Sequence, residues 1–143
     1  MIRKISTYNP LSSYNQAIKQ LINNGIRPTK QRMILAKLLF EKGDRHISAE
    51  ELYEEVKKDN RKISLATIYN SLKQFRKIGL LKELVVDQNK SIYCTNHDKH
   101  YHLYIEDEGK IIDIPQKNID LNIPEIPACL NLHNIDIVVK IRT

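Results

Sequence analysis

Two histidines separated by a single residue, His100 and His102, are the side chains of this 143-residue chain best suited to chemistry. Successive side chains of a strand alternate between its faces, so on a strand both imidazoles project from the same side. If the chain turns back about Asp107 and Glu108, residues whose numbers sum to 215 stand opposite each other, and Asp113 faces His102. Two imidazoles and a carboxylate form a set for zinc, iron(II) or manganese(II). A turn one residue longer would put Asp113 on the other face, so spacing alone leaves the register open. Cys94 has two readings, a thiolate ligand or a small buried apolar residue. His46 also has two, a ligand or an exposed loop residue. Cys129 reads as core. No CxxC pair occurs, which excludes a closed four-thiolate structural zinc site.

The elements that must position these residues are marked by caps and periodicity. Residues 1–10 show none and read as a loose tail. Leu11, Tyr14, Ile18, Leu21 and Ile22 recur at helical spacing, and Asn23-Asn24-Gly25 supplies a stop. Pro28 and Thr29 open a second helix with Ile34, Leu35, Leu38 and Leu39 inward, ending at Lys42-Gly43. Ser48 with Glu51 three residues on is a capping box, and Ile47 with Leu52 can close a hydrophobic staple. Ser64 caps a fourth helix whose inner stripe is Leu65, Ile68, Leu72 and Phe75; Gly79 ends it. Strands are expected over 80–86 and 91–95, joined by the turn residues 87–90.

Charge divides the chain. Residues 1–96 hold 18 Lys and Arg against 9 Asp and Glu, a net of +9, whereas residues 97–143 hold 5 against 8, a net of −3. The first part is therefore suited to a polyanion. On the fourth helix Ala66, Tyr69, Asn70, Lys73, Arg76 and Lys77 lie away from the apolar stripe, a mixture suited to a major groove. A single helix with such a face is ordinarily just solvated; helix, hairpin and charge split together carry the expectation. The fold class is α+β: a winged helix-turn-helix over 11–96, then a small strand-rich dimerisation and metal-sensing domain over 97–143. The second part has strands at 100–105, 110–114 and 134–141 and a proline-broken stretch between the last two. It is too small to bury a core alone, so it needs the first part, a second copy, or both. A homodimer also matches a palindromic site in double-stranded DNA.

Five segments in order resemble the ferric uptake regulator (Fur) family. They are Gly25-Ile-Arg-Pro-Thr-Lys-Gln-Arg32, His46-Ile-Ser-Ala-Glu-Glu-Leu-Tyr53, Ser64-Leu-Ala-Thr-Ile-Tyr-Asn-Ser-Leu72, His100-Tyr-His102 and Gly109-Lys-Ile-Ile-Asp113. The resemblance implies a winged-helix domain followed by a small dimerisation domain. It also implies a regulatory metal site taking His46, a residue of the second hairpin strand, His100, His102 and Asp113, with His133 at a further ligand position. The hairpin position is Cys94 here, where the family has a carboxylate. That change favours zinc or a redox-sensitive site over manganese, or else marks a position that no longer binds metal. Where many members carry a structural-zinc CxxC this chain has Ile105 and Glu108.

The segment Leu38-Leu-Phe-Glu-Lys-Gly-Asp-Arg-His-Ile-Ser48 and the string Thr67-Ile-Tyr-Asn70 look most like the iron-response regulator (Irr) branch. That likeness implies a haem response, with His97, His100 and His102 as the haem residues. The expectation is an iron- or haem-responsive regulator, with a conventional metal-activated repressor and a metal-independent winged-helix regulator as alternatives. The DNA contacts expected are Arg27, Lys30, Arg32, Tyr69, Asn70, Lys73, Arg76 and Lys77, the cations mainly on phosphates. There is no HExxH, Gly-rich phosphate loop or nucleophile elbow, so an enzyme is not expected. No apolar run reaches the roughly 20 residues of a membrane span, and no signal-peptide stretch opens the chain, so a cytoplasmic location is expected.

Overall fold

The computed structural model describes residues 10–143 and divides the chain into two units, the first running to His97 and the second covering Asp98–Thr143. The expected tail, residues 1–10, falls almost wholly outside the described residues, as does the side chain of Leu11.

The first unit is built on four helices. α1 (Pro10–Asn23) buries Ala17 and Leu21 with Tyr14 and Ile18 partly covered, but Ile22 is 57% exposed, so the inner stripe is narrower than its sequence suggests. α2 (Lys30–Phe40) starts at Thr29, whose side chain accepts from the Arg32 amide, and buries Leu35, Ala36, Leu39 and Phe40. α3 (Ala49–Lys58) has the full capping box: Glu51 N–H donates to Ser48 Oγ at 3.1 Å, and the Glu51 carboxylate accepts from Ser48 N–H at 3.3 Å. These bonds satisfy two amides that a bare helix end leaves without partners. Ile47 and Leu52, the two staple residues, both lie in the buried core. α4 (Leu65–Lys77) is capped by Ser64 and packs Ile68, Leu72 and Phe75 into the same core. Gly79 follows at φ +82°, the left-handed conformation that glycine takes without a Cβ penalty. Around it Gly79 N–H reaches Arg76 O and Leu80 N–H reaches Phe75 O, the double bond of a Schellman cap.

Three strands complete this unit in the order β1-β3-β2. β2 (Lys82–Asp87) and β3 (Lys90–Cys94) form an antiparallel hairpin around Gln88-Asn89, with a register shift between Val85 and Asp87. The strands therefore run into residues expected as turn, and at the irregularity Val85 faces out, 64% exposed, while Val86 is buried. β1 (His46–Ile47) was not expected: the residues before the α3 cap pair with the end of β3, His46 opposite Cys94 and Ile47 opposite Tyr93. Arg45 and Thr95 continue this pairing through Thr95 N–H to Arg45 O (3.1 Å) and Arg45 N–H to Thr95 Oγ1 (2.9 Å). The Arg45 guanidinium grips both carboxylate oxygens of Glu55 and also donates to Leu38 O at 3.0 Å.

The second unit is one sheet in the order β5-β4-β6. β4 (His100–Ile105) and β5 (Lys110–Pro115) are antiparallel, with His102 opposite Asp113 and Ile105 opposite Lys110, so the register is the one in which partners sum to 215. β6 (Val138–Ile141) runs parallel to β4 and is shorter than the expected 134–141. Between β5 and β6 the chain has a short 3₁₀ turn, Gln116–Asn118, and otherwise no regular structure. Pro124 and Pro127 cannot donate a backbone N–H, which disfavours a helix or sheet ladder there. Among the described residues no helix is long and apolar enough to cross a membrane.

Candidate metal centre and cationic groove

The second unit brings three donors together. Residues 100 and 102 share a face of β4, and antiparallel pairing sets Asp113 beside them. His100 Nε2 lies 2.8 Å from His102 Nε2, and Asp113 Oδ1 lies 3.3 Å and 3.4 Å from the two nitrogens. His100 Nδ1 bonds the carbonyl of Asp98, which can only accept, so Nδ1 carries the proton and Nε2 presents a lone pair to the cluster. Both imidazoles are buried. A tetrahedral ion with bonds near 2.0–2.2 Å holds its donor atoms about 3.4 Å apart. The two distances to Asp113 match that and the His100–His102 separation is shorter, and the donors are of the types that zinc, iron(II) and manganese(II) accept, so these residues fit a divalent ion.

The first unit holds a second pair of donor residues. His46 and Cys94 are direct cross-strand partners, and a ring nitrogen of His46 lies within 4.8 Å of Cys94 Sγ. Cys94 is fully buried and His46 half-buried. The loop reading of His46 is therefore corrected: β1 fixes its backbone. His133 is not part of a donor cluster among the described residues; it is exposed on the irregular stretch before β6. His97 is exposed and stacks on Phe40, ring centroids 6.5 Å apart. Cys129, expected in the core, is also exposed, on the proline-broken stretch.

The polar face of α4 is split in two. Asn70, Lys73 and Lys77, with Arg32 of α2, line a groove of about 500 Å³ that no acidic residue borders. Thr29, Gln31, Thr67 and Gln74 also line it and were missed by sequence reasoning. Their signal was present in part: Gln74 is four residues from Asn70 and three from Lys77, hence on the same helix face. Arg27 and Lys30 are exposed but do not line the groove; the Arg27 carbonyl accepts from the Arg32 guanidinium at 2.8 Å.

Tyr69 and Arg76, seven residues apart, sit on the other flank of α4 and are both engaged by carboxylates. The Tyr69 hydroxyl donates to Glu50 at the start of α3, and Arg76 Nε lies 3.2 Å from Glu83 of β2. That bond, with the nearby charge of Lys90 adding to it, holds the Glu50 carboxyl below its usual range. In the same region burial pushes the Tyr93 phenol up to about 12, with the Glu83 charge adding to the effect.

A model of the ferric uptake regulator family matches residues 23–142. The peroxide-responsive repressor PerR of Staphylococcus saprophyticus is 38% identical over 104 residues, covering 73% of this chain and 70% of the relative. The ferric uptake regulator of Vibrio cholerae superposes with a TM-score of 0.69 at 26% identity, over 87% of this chain and 98% of the other. The manganese-containing ferric uptake regulator of Pseudomonas aeruginosa gives 0.70 at 22% identity, over 89% and 97%.

Proposed function

The chain belongs to the ferric uptake regulator family, and from that premise we propose that it is a divalent-metal-responsive transcriptional repressor that binds palindromic DNA as a homodimer. The observation that carries the metal response is the convergence of His100 Nε2, His102 Nε2 and Asp113 Oδ1. His100 and His102 hold the ion through nitrogen, and Asp113 supplies the negative charge that makes a hard cation welcome. The resemblance adds His46 and Cys94 as further ligands, and the sulfur shifts preference toward zinc. When bound, the ion would fix the side chains that ligate it.

The winged helix-turn-helix reading is supported by the order of four helices and a hairpin, and DNA binding by the acid-free groove between α2 and α4. In that groove Arg32, Lys73 and Lys77 take phosphates, while Asn70 has the donor-acceptor pair suited to a base edge. Exposed Ile112, Val139 and Ile141 on the second unit's strands are apolar surface that a second copy can cover.

The likeness of certain segments to the iron-response branch gives way to relatives that are peroxide-responsive repressors, and the His100–His102–Asp113 donor set favours a divalent ion over haem as effector. The haem reading through His97, His100 and His102 becomes one arm of the test. Binding to a family-type palindromic duplex is measured at fixed salt while manganese(II), iron(II), zinc(II) and haem are added in turn. Tightening with a divalent ion supports the proposal. Release by haem with indifference to the ions overturns it in favour of the haem reading.

A further inference from the structure

The contact between Glu50 and Tyr69 has a consequence for what α4 can read. A phenol carries one proton and can give it once. In this structure the proton goes to the Glu50 carboxylate, and the Tyr69 ring remains 43% exposed. Towards an approaching duplex the phenolic oxygen can then only accept. Phosphate oxygens are acceptors too, as are guanine N7 and O6 and thymine O4, so none of them can bond it. The exocyclic amines of adenine and cytosine can, and the ring can also lie against a thymine methyl. The Glu50 carboxylate meanwhile opposes every phosphate equally, whatever the sequence. The other carboxylates of this region are engaged elsewhere, Glu51 by the α3 cap and Glu83 by Arg76.

We propose that Glu50 is a specificity-determining residue: by holding the Tyr69 hydroxyl proton it prevents the tyrosine from anchoring on phosphate and leaves it as a reader of bases. This rests on the DNA-binding reading above. Without Glu50 the hydroxyl is released to donate to any phosphate, and the uniform repulsion disappears, so binding to arbitrary sequence strengthens more than binding to the preferred one.

The test uses the full chain with four forms: wild type, Glu50→Ala, Tyr69→Phe and the double variant. Each is titrated, at one salt concentration and with the divalent ion that tightens wild-type binding most held at one saturating concentration, against the duplex that the wild type enriches from a random-sequence library and against a scrambled duplex of the same composition. Circular dichroism checks that all four are folded. Glu50→Ala is expected to tighten binding to the scrambled duplex and lower the ratio of the two affinities about ten-fold. Tyr69→Phe lowers the ratio without tightening scrambled binding. In the Tyr69→Phe background Glu50→Ala shifts both affinities together and leaves the ratio where it was. An unchanged ratio in Glu50→Ala, from a wild type that does enrich a sequence, overturns the proposal and leaves the DNA-binding reading standing. A ratio that still falls in the Tyr69→Phe background overturns it as well, because Glu50 would then act without the tyrosine. If the wild type binds no duplex, both readings fail together.

Discussion

Asp113 stands directly across the β4–β5 ladder from His102, and its Oδ1 lies 3.4 Å from His102 Nε2. His100, two residues earlier on the same face, brings its own Nε2 within 3.3 Å of that oxygen. Removing the carboxylate should therefore weaken metal binding without unfolding the sheet. Asp113→Asn is expected to lower manganese(II) and zinc(II) affinity at least about ten-fold, and His100→Ala with His102→Ala to abolish it. Isothermal titration gives the affinities, and circular dichroism reports the fold. Undiminished affinity in the double histidine variant would remove the cluster as the metal site.

Cys94 stands at the hairpin position where the family resemblance implies a carboxylate ligand. Cobalt(II) added to the protein should give the near-ultraviolet absorption of a thiolate-to-metal charge transfer, recorded in a Cys129→Ser background to exclude the exposed thiol. Cys94→Ser should lose the band, and Cys94→Glu should move preference from zinc(II) towards manganese(II). A band that survives Cys94→Ser would show that this sulfur is not a ligand.

Lys73 projects into the groove between α2 and α4. Lys73→Ala should weaken binding to all duplexes alike and reduce the slope of log affinity against log salt by about 0.9, the loss of one phosphate contact. Equilibrium binding at four or more salt concentrations measures the slope. A slope equal to that of the wild type would mean that Lys73 touches no phosphate.

Tyr93 gives the first unit an alkaline limit. Its phenol is pushed up to about 12 in the folded protein, mainly by burial, against an ordinary value of about 10 in the unfolded chain. Above pH 10 the unfolded state releases this proton first, so it binds fewer protons than the native state and stability falls as pH rises. The stabilisation is complete below about pH 10 and is lost through about pH 12. Urea midpoints measured from pH 8 to pH 12 should drop across that window, and the drop should be smaller in Tyr93→Phe.

The α3 cap can be tested alone. Ser48→Ala removes the acceptor for Glu51 N–H and should cost about 1 kcal/mol. Ser48→Asp, which keeps an acceptor, should recover most of it. Chemical denaturation provides both numbers, and equal loss in the two variants would mean that packing of the buried Ser48 matters rather than the cap.

Local chemistry, read from residues alone, was enough to determine most of the elements and part of the site. Ser48 with Glu51 marks the start of a helix because the bonds of a cap are made within one turn of chain. The alternation along β4 likewise put His100 and His102 on one face, but the sequence left the turn length open, and the pairing observed in the structure is what brings Asp113 opposite His102. Contacts between distant segments were decided only by the tertiary structure. His46 reaches Cys94 across 48 residues because the chain before α3 becomes a strand beside β3, and two residues are too few for any periodicity to announce it. The proximity of Tyr69 to Glu50 depends on how α4 lies against the start of α3, and so does the division of one polar helix face into a cationic groove and a carboxylate-engaged flank. A helix's own sequence specifies which side chains share a face; what that face meets is set by the packing of the buried cores, which no single segment encodes.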